Sequence, residues 1–276
     1  MKSRLFTFFC ILFIFVSVAQ AEEIEWFTDL NTAAKAAKKS GKPILLDFTA
    51  KWCGPCKKMD REFWVREDVI ELSKKVIFVK IDSDNNIELK KKYGVRGIPN
   101  VTITDSWGLK LTYHAGYSTA RADEIIEKIG SVPTDFAEIK NAGNLLEKDA
   151  NDIISLAEIA AFYQKKNFYA PSNELYLRIL ELEKTPSQRE VLKLNLGFNY
   201  LRMGKITEAE DIFMNFQAEF PKSKNADMAL HGEIFILVKQ KKIPQAEKLF
   251  EKLKTDFPRS LMISQANQIL SDAKLQ

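Results

Sequence analysis

Ile44-Leu45-Leu46-Asp47-Phe48-Thr49-Ala50-Lys51-Trp52-Cys53-Gly54-Pro55-Cys56-Lys57 passes without a break from an apolar run into a paired-cysteine motif. The run from Ile44 to Phe48 has the length and composition of a buried strand, and residues 57–63 read as a helix with Met59 and Phe63 four apart on one face. Two cysteines spaced this way at a helix start let the first sulfur face solvent with the second behind it. The unpaired N–H groups of the first helical turn then stabilise negative charge on the exposed sulfur. Three chemistries share the spacing: a redox dithiol, a static disulfide and half of a zinc site.

The flanking sequence supplies the rest of a domain. Residues 25–40, with Trp26, Phe27, Leu30 and an alanine series, read as a helix stopped by Gly41. A second apolar run at 76–81 makes another strand, and a helix follows over 87–93. Residues 101–104 and 109–115 form a hairpin about Ser106-Trp107-Gly108, and a closing helix spans 122–130. Strand, helix, strand, helix implies parallel pairing through right-handed crossovers. The expected fold is therefore α/β, a mixed central sheet flanked by helices, with its site beyond the carboxyl end of a strand, where the cysteines fall.

A chain of 276 residues suggests about two domains. Lys2 and Arg4, the apolar run from Leu5 to Val18 and the small residues Ala19 and Ala21 describe a secretory signal over residues 1–21. An uncleaved anchor is the competing reading, for which the run is short against the ~20 residues of a spanning helix. Cys10 would leave with the signal. Without Lys2 and Arg4, 39 basic residues face 37 acidic ones, a balance that points away from nucleic acid as a partner. Export, to a compartment such as the periplasm, exposes a lone cysteine pair to oxidation, so a reductant would need an electron donor, expected to be membrane-linked.

Asp47 to Lys57, then Tyr93-Gly94-Val95-Arg96-Gly97-Ile98-Pro99, then Gly116 resemble thioredoxin. The resemblance covers roughly residues 24–131. Residues 57–63, with Asp68-Val69, are similar to periplasmic thioredoxin-like domains, including the C-terminal domain of the membrane thiol:disulfide interchange protein. The resemblance implies that Cys53 is the nucleophile and Cys56 the resolving thiol. It makes Asp47 a buried carboxylate that takes the resolving thiol's proton, directly or through water. Pro99 matches the family's cis-proline, which with Ile98 lies beside the sulfurs and offers backbone hydrogen bonds to an extended substrate. Trp52 shields one flank or is simply packed against the domain, and Lys57 adds positive potential or is merely solvated. Gly54-Pro55 is the thioredoxin pair and points to reduction of protein disulfides, with no cofactor beyond the Cys53–Cys56 disulfide and no metal. Thioredoxins usually carry a lysine near the buried aspartate on the following strand; alignment on Ile81-Asp82 puts Phe78 there and leaves Asp47 short of countercharge. His114, on a strand surface, and His231, on a helix, lie in different domains and are poor partners for a zinc site.

Ser131-Val132-Pro133-Thr134 ends the first domain, expected over 22–132, and residues 133–150 form a linker or connecting helix that packs the two parts together. Residues 151–276 are helical and periodic. Tyr163, Tyr200 and Leu237 are 37 apart, as are Tyr176, Phe213 and Phe250, and Ala209 keeps the same step to Ala246. Leu196-Gly197, Tyr200, Ala209, Phe213 and Pro221 fall at offsets that resemble a tetratricopeptide repeat. Three units are expected, about 152–185, one centred on these residues, and 225–258, with a capping helix over 261–274. The periodic aromatics are core, whereas Asn195, Asn199, Arg202 and Lys239 are candidates to line a face for a peptide or protein partner. An oxidase or isomerase of the same chemistry, or an adaptor in which the first domain only supports the repeats, are the alternatives.

Overall fold

The structure is a computed structural model and describes residues 23–275. The signal-like segment 1–21, with Lys2, Arg4 and Cys10, lies outside the described residues. Strands β1 (Trp26–Phe27), β2 (Ile44–Thr49), β3 (Ile77–Asp82), β4 (Asn100–Thr104) and β5 (Lys110–Ala115) form one sheet in the order β1-β3-β2-β4-β5. β1 and β2 run parallel to β3, and β4 runs antiparallel to β2 and β5. Flanking the sheet are α1 (Leu30–Ser40), α2 (Gly54–Glu62), α3 (Glu67–Ser73), α4 (Ile87–Tyr93) and α5 (Ala122–Ser131).

Strand alternation sorts the core into two sides. Ile44, Leu46 and Phe48 of β2 pack with Ala33 and Ala37 of α1 and Tyr93 of α4. Leu45 faces the other way, with Met59 of α2, Phe63 that caps its end, Val69 of α3 and Ile125 of α5. By the same alternation Asp47 belongs to this second side. β2 is paired on both edges, so nothing on it can relax outward.

Two local expectations are corrected. Trp26-Phe27 does not begin a helix but forms an edge strand opposite Phe78-Val79, and the helix starts after Asp29, whose carboxylate accepts the Thr32 N–H at 2.8 Å. Aromatic residues gain more from a neighbouring strand and from Trp26's edge contacts with Trp64 and Phe78 than from an exposed helical turn. His114 is not on the surface: it is buried on β5, with Nδ1 3.7 Å from Glu124 of α5, because β5 carries α5 on that side.

After a 3-10 turn at Ala137–Ile139, α6 (Lys140–Leu146) leads into helix pairs α7 (Ile153–Lys165) and α8 (Tyr169–Leu182), α9 (Pro186–Arg202) and α10 (Ile206–Glu219), α11 (Ala226–Lys239) and α12 (Ile243–Asp256), then α13 (Met262–Lys274). Phe213 explains two glycines: a Cβ on Gly197 would sit 2.6 Å from its ring, and one on Gly232 would sit 2.7 Å from it. The third unit has Ile234 where the period would place a glycine, and Gly232 makes room for the ring instead. Asn199 is not available to a partner. It is buried, donating to Ser172 Oγ at 3.1 Å and Asn173 Oδ1 at 2.8 Å and accepting from Gln164 Nε2 at 2.9 Å, so it ties two repeat units together.

The repeats share a core with the sheet rather than hanging from it. Phe136, Ile139, Leu156 and Tyr163 join the same cluster as Val101 and Ile103. At its centre the buried Asp105 carboxylate accepts the Tyr163 hydroxyl at 2.6 Å and the backbone N–H groups of Trp107 at 2.8 Å and Leu109 at 2.9 Å. Trp107 Nε1 donates to Asn144 Oδ1 at 3.2 Å, and its ring packs directly against Gly143. Lys38 and Glu147 form an ion pair across the same junction. Because Thr104 pairs with Ile44, this seam sits at the end of the sheet where β2 begins, opposite the end that carries the cysteines.

A Cβ at Gly143 would stand 2.2 Å from the Trp107 ring, which its hydrogen bond holds in place. Gly143→Ala is expected to lower the unfolding free energy by about 1–3 kcal/mol through overpacking. Urea titration followed by tryptophan fluorescence checks this, and wild-type stability would contradict the seam.

Candidate active site

β2 delivers the chain to the cysteines, and α2 begins on them. Cys53 is the N-cap of α2, in extended geometry, and Pro55 occupies the first turn, where a missing N–H leaves no hydrogen bond unmade. Cys56 N–H points to Cys53 Sγ at 3.2 Å. The two sulfurs are joined as a disulfide with Cα atoms 5.3 Å apart. The first sulfur is less exposed than its position suggests: both cysteines are 3% exposed, covered by Ala50 and the half-buried Ile98.

The Ile98–Pro99 peptide bond is cis and Pro99 is buried. Its carbonyl accepts the Gly116 N–H at 2.8 Å, which ties this loop to the strand end beside it. Trp52 is neither packed nor a tight shield. Its side chain is 69% exposed and anchored by one hydrogen bond, Nε1 to Asp84 Oδ2 at 2.8 Å. Gly54, Pro55 and Lys57 are exposed on the rim.

Asp47 lies below this surface, fully buried in the centre of β2. The countercharge that alignment placed at Phe78 is present two residues later. The strand register sets Asp47 opposite Lys80, whose Nζ is 3.5 Å from Asp47 Oδ2. Phe78 and Lys80 lie on the same strand face, so the shift by two preserved the pattern while misplacing the charge. Lys80 also pairs with Asp60 of α2 and lies 4.5 Å over the Trp26 ring. Burial pushes the Asp47 carboxyl up to about 6, against the pull of Lys80 and with a further push from Asp60. Among the described residues, neither Asp47 Oδ1 nor the neighbouring indole N–H of Trp64 has a hydrogen-bond partner. Asp60 and Lys80 were not among the residues singled out from sequence. The available signals were a lone cation in an apolar strand and an acid four residues after Cys56, one helical turn along the same face.

A family model for thioredoxin-like domains matches residues 25–106, and a tetratricopeptide-repeat model matches residues 190–223. A thioredoxin H-type from Fagopyrum esculentum is 37% identical over 108 residues, spanning 38% of this chain and 81% of the relative. A protein disulfide isomerase-like 2-1 from Oryza sativa subsp. japonica is 27% identical over 157 residues, 56% of this chain and 42% of the relative, so less than half of that protein is spanned. A solved structure of a DsbH oxidoreductase is 24% identical with a TM-score of 0.34, over 40% of this chain and 87% of that one.

Asp47 holds its proton more tightly in the folded chain than in the unfolded one, so its ionisation opposes folding. Its contribution to stability is lost as pH rises from the ordinary carboxylate range through about 6, and is level above that. Asp47→Asn is therefore expected to raise the unfolding free energy at pH 7 by roughly 2–3 kcal/mol, a gain that disappears below about pH 4. Denaturant titrations at both pH values check this. A loss of stability at pH 7 would contradict it.

Proposed function

The chain belongs to the thioredoxin family, and from that premise we propose that it is an exported thiol–disulfide oxidoreductase that reduces protein disulfides through Cys53 and Cys56, its repeats docking a partner or substrate. The observation that carries this reading is a disulfide closed across the first turn of a helix, beside a cis-proline and above a buried carboxylate that titrates near neutrality.

In the reduced enzyme the Cys53 thiolate, at the N-terminus of α2, attacks one sulfur of a substrate disulfide. That bond breaks, a mixed disulfide forms, and the other substrate sulfur leaves as a thiolate. Cys56 loses its proton to Asp47, attacks Cys53 Sγ, and expels the second substrate sulfur. The products are a substrate dithiol and the Cys53–Cys56 disulfide, so two electrons have moved to the substrate. Lys80 stabilises the charged form of Asp47, and its second salt bridge to Asp60 limits how far. The backbone at Ile98 and Pro99 binds the extended substrate segment, with Trp52, Gly54, Pro55 and Lys57 forming the rest of the contact surface.

The Gly54-Pro55 pair supports the reducing direction, since no histidine between the cysteines adds to thiolate stabilisation. A membrane-linked donor would restore the dithiol in an oxidising compartment. An isomerase or oxidase would use the same residues at a different potential, and the isomerase-like relative keeps that reading in view. A pure adaptor is less well supported, because Asp47, Lys80, Pro99 and both cysteines have no use in it.

Cys53→Ser is expected to abolish reduction of insulin disulfides by the mature protein, measured by turbidity, while Cys56→Ser accumulates mixed disulfides released by dithiothreitol. Full activity in the first variant, or trapping by a variant lacking both cysteines, would contradict the assignment.

A further inference from the structure

Trp64 lies just past the end of α2, buried and clamped by three aromatic rings. It meets Phe63 at 4.7 Å, Trp26 at 5.1 Å and Phe78 at 5.8 Å between centroids, each in an edge arrangement. Such contacts fix the direction of the ring's one polar atom, because they are lost when the ring turns. The indole N–H can only donate, and Asp47 Oδ1, when ionised, can only accept. Both are buried without a hydrogen-bond partner among the described residues, a condition that folded proteins seldom leave in place. The two atoms are also neighbours in effect: burial pushes the Asp47 carboxyl up, while Lys80 and the Trp64 N–H both pull it down.

The side chains that act on Asp47 from outside β2 are Lys80 of β3, Asp60 of α2 and Trp64. All three line one cavity of about 760 Å³, with Trp26 beside them and the exposed Glu23 and Glu67 at the rim. On the other flank, Val101 of β4 stands between Asp47 and His114 of β5 in the same row of the sheet. Lys80 faces Oδ2 at 3.5 Å. Trp64 is the one group among the three that can serve Oδ1 without adding charge.

We propose that the Trp64 indole N–H is the donor that holds Oδ1 of ionised Asp47, directly or through one water from the cavity, and so sets the pH at which Asp47 can take the Cys56 proton. Trp64 is a positioning residue, acting through Asp47 and not on the sulfurs. The inference rests on reading Asp47 as the base of the dithiol exchange. In that step the Cys56 S–H and the Asp47 carboxylate become a thiolate and a carboxylic acid. The thiolate then forms the bond to Cys53 Sγ and expels the substrate sulfur, and Asp47 returns its proton to water in the cavity. With Lys80 at Oδ2 and the indole at Oδ1, each oxygen of the charged form has a donor, which favours ionisation.

The test is an NMR titration of the Asp47 side-chain carboxyl carbon in the purified oxidised protein, where the joined cysteines do not titrate. Trp64→Phe keeps an aromatic ring in place and removes the N–H. Its Asp47 midpoint is expected to rise by about 0.5–1 pH unit, roughly a three- to tenfold gain in proton affinity. Water entering the space left by the smaller ring would lower the midpoint instead, so the sign of the shift identifies the lost donor. In the wild-type protein the Trp64 indole proton resonance is expected to move with the same midpoint as the carboxyl, a readout that does not depend on the variant folding. A midpoint that stays or falls in Trp64→Phe, or an indole resonance indifferent to pH between about 4 and 8, would overturn the proposal. An indole that only fills space changes stability and leaves this titration alone. Insulin reduction keeps the two readings apart. Its acid limb should move up with the midpoint in Trp64→Phe, whereas a raised midpoint with an unmoved limb would remove Asp47 as the base and leave the hydrogen bond standing.

Discussion

A carboxylate in the middle of a doubly paired, fully buried strand is the constraint on which this structure turns. β2 is hydrogen-bonded along both edges, so Asp47 can neither swing out to water nor exchange faces. Its charge is opposed by burial and relieved by a single cation, Lys80, which Asp60 shares. The outcome is a carboxyl that takes up or gives away a proton near neutral pH. α2 starts from the end of the same strand, which sets Cys56 and Asp60 one turn apart on the helix above it. A buried carboxyl of this kind is suited to the proton-accepting role proposed for it in the disulfide chemistry.

The polarity of β2 also separates the two halves of the molecule. The dithiol lies past its C-terminal end. The seam with the repeats lies at its N-terminal end, around Asp105, Trp107 and Tyr163. A six-residue strand puts roughly 17 Å between the two ends. The repeats are fixed to the redox domain by a common core and a buried tyrosine–carboxylate hydrogen bond, which leaves the cysteine surface open. The shared core thus joins the repeats to the redox domain at the end of the sheet away from the cysteines.

Much of this was legible in the sequence because the signals were local. Strand β2, helix α4 and the three helix pairs follow from apolar runs and from the step of 37 residues. What escaped notice depended on long-range pairing. Trp26-Phe27 looks helical until β3 offers it an edge. Lys80 could be placed only by the register between β2 and β3, and a shift by two residues retains every hydrophobic match while moving the charge. Asn199 has the composition of a surface residue, yet it is buried by hydrogen bonds to a neighbouring unit. Tyr163 fitted the repeat period so well that its hydroxyl bond to Asp105, across the seam, had no counterpart in the pattern.

The central claim is that Cys53 and Cys56 are poised to give electrons to substrates rather than to take them. The most direct measurement is the reduction potential of the purified protein, obtained by equilibrating the pair against glutathione or dithiothreitol buffers and following the two cysteines by alkylation. The account predicts a value near the roughly −270 mV of thioredoxin itself. A value close to about −120 mV, that of a strong disulfide donor, would contradict it.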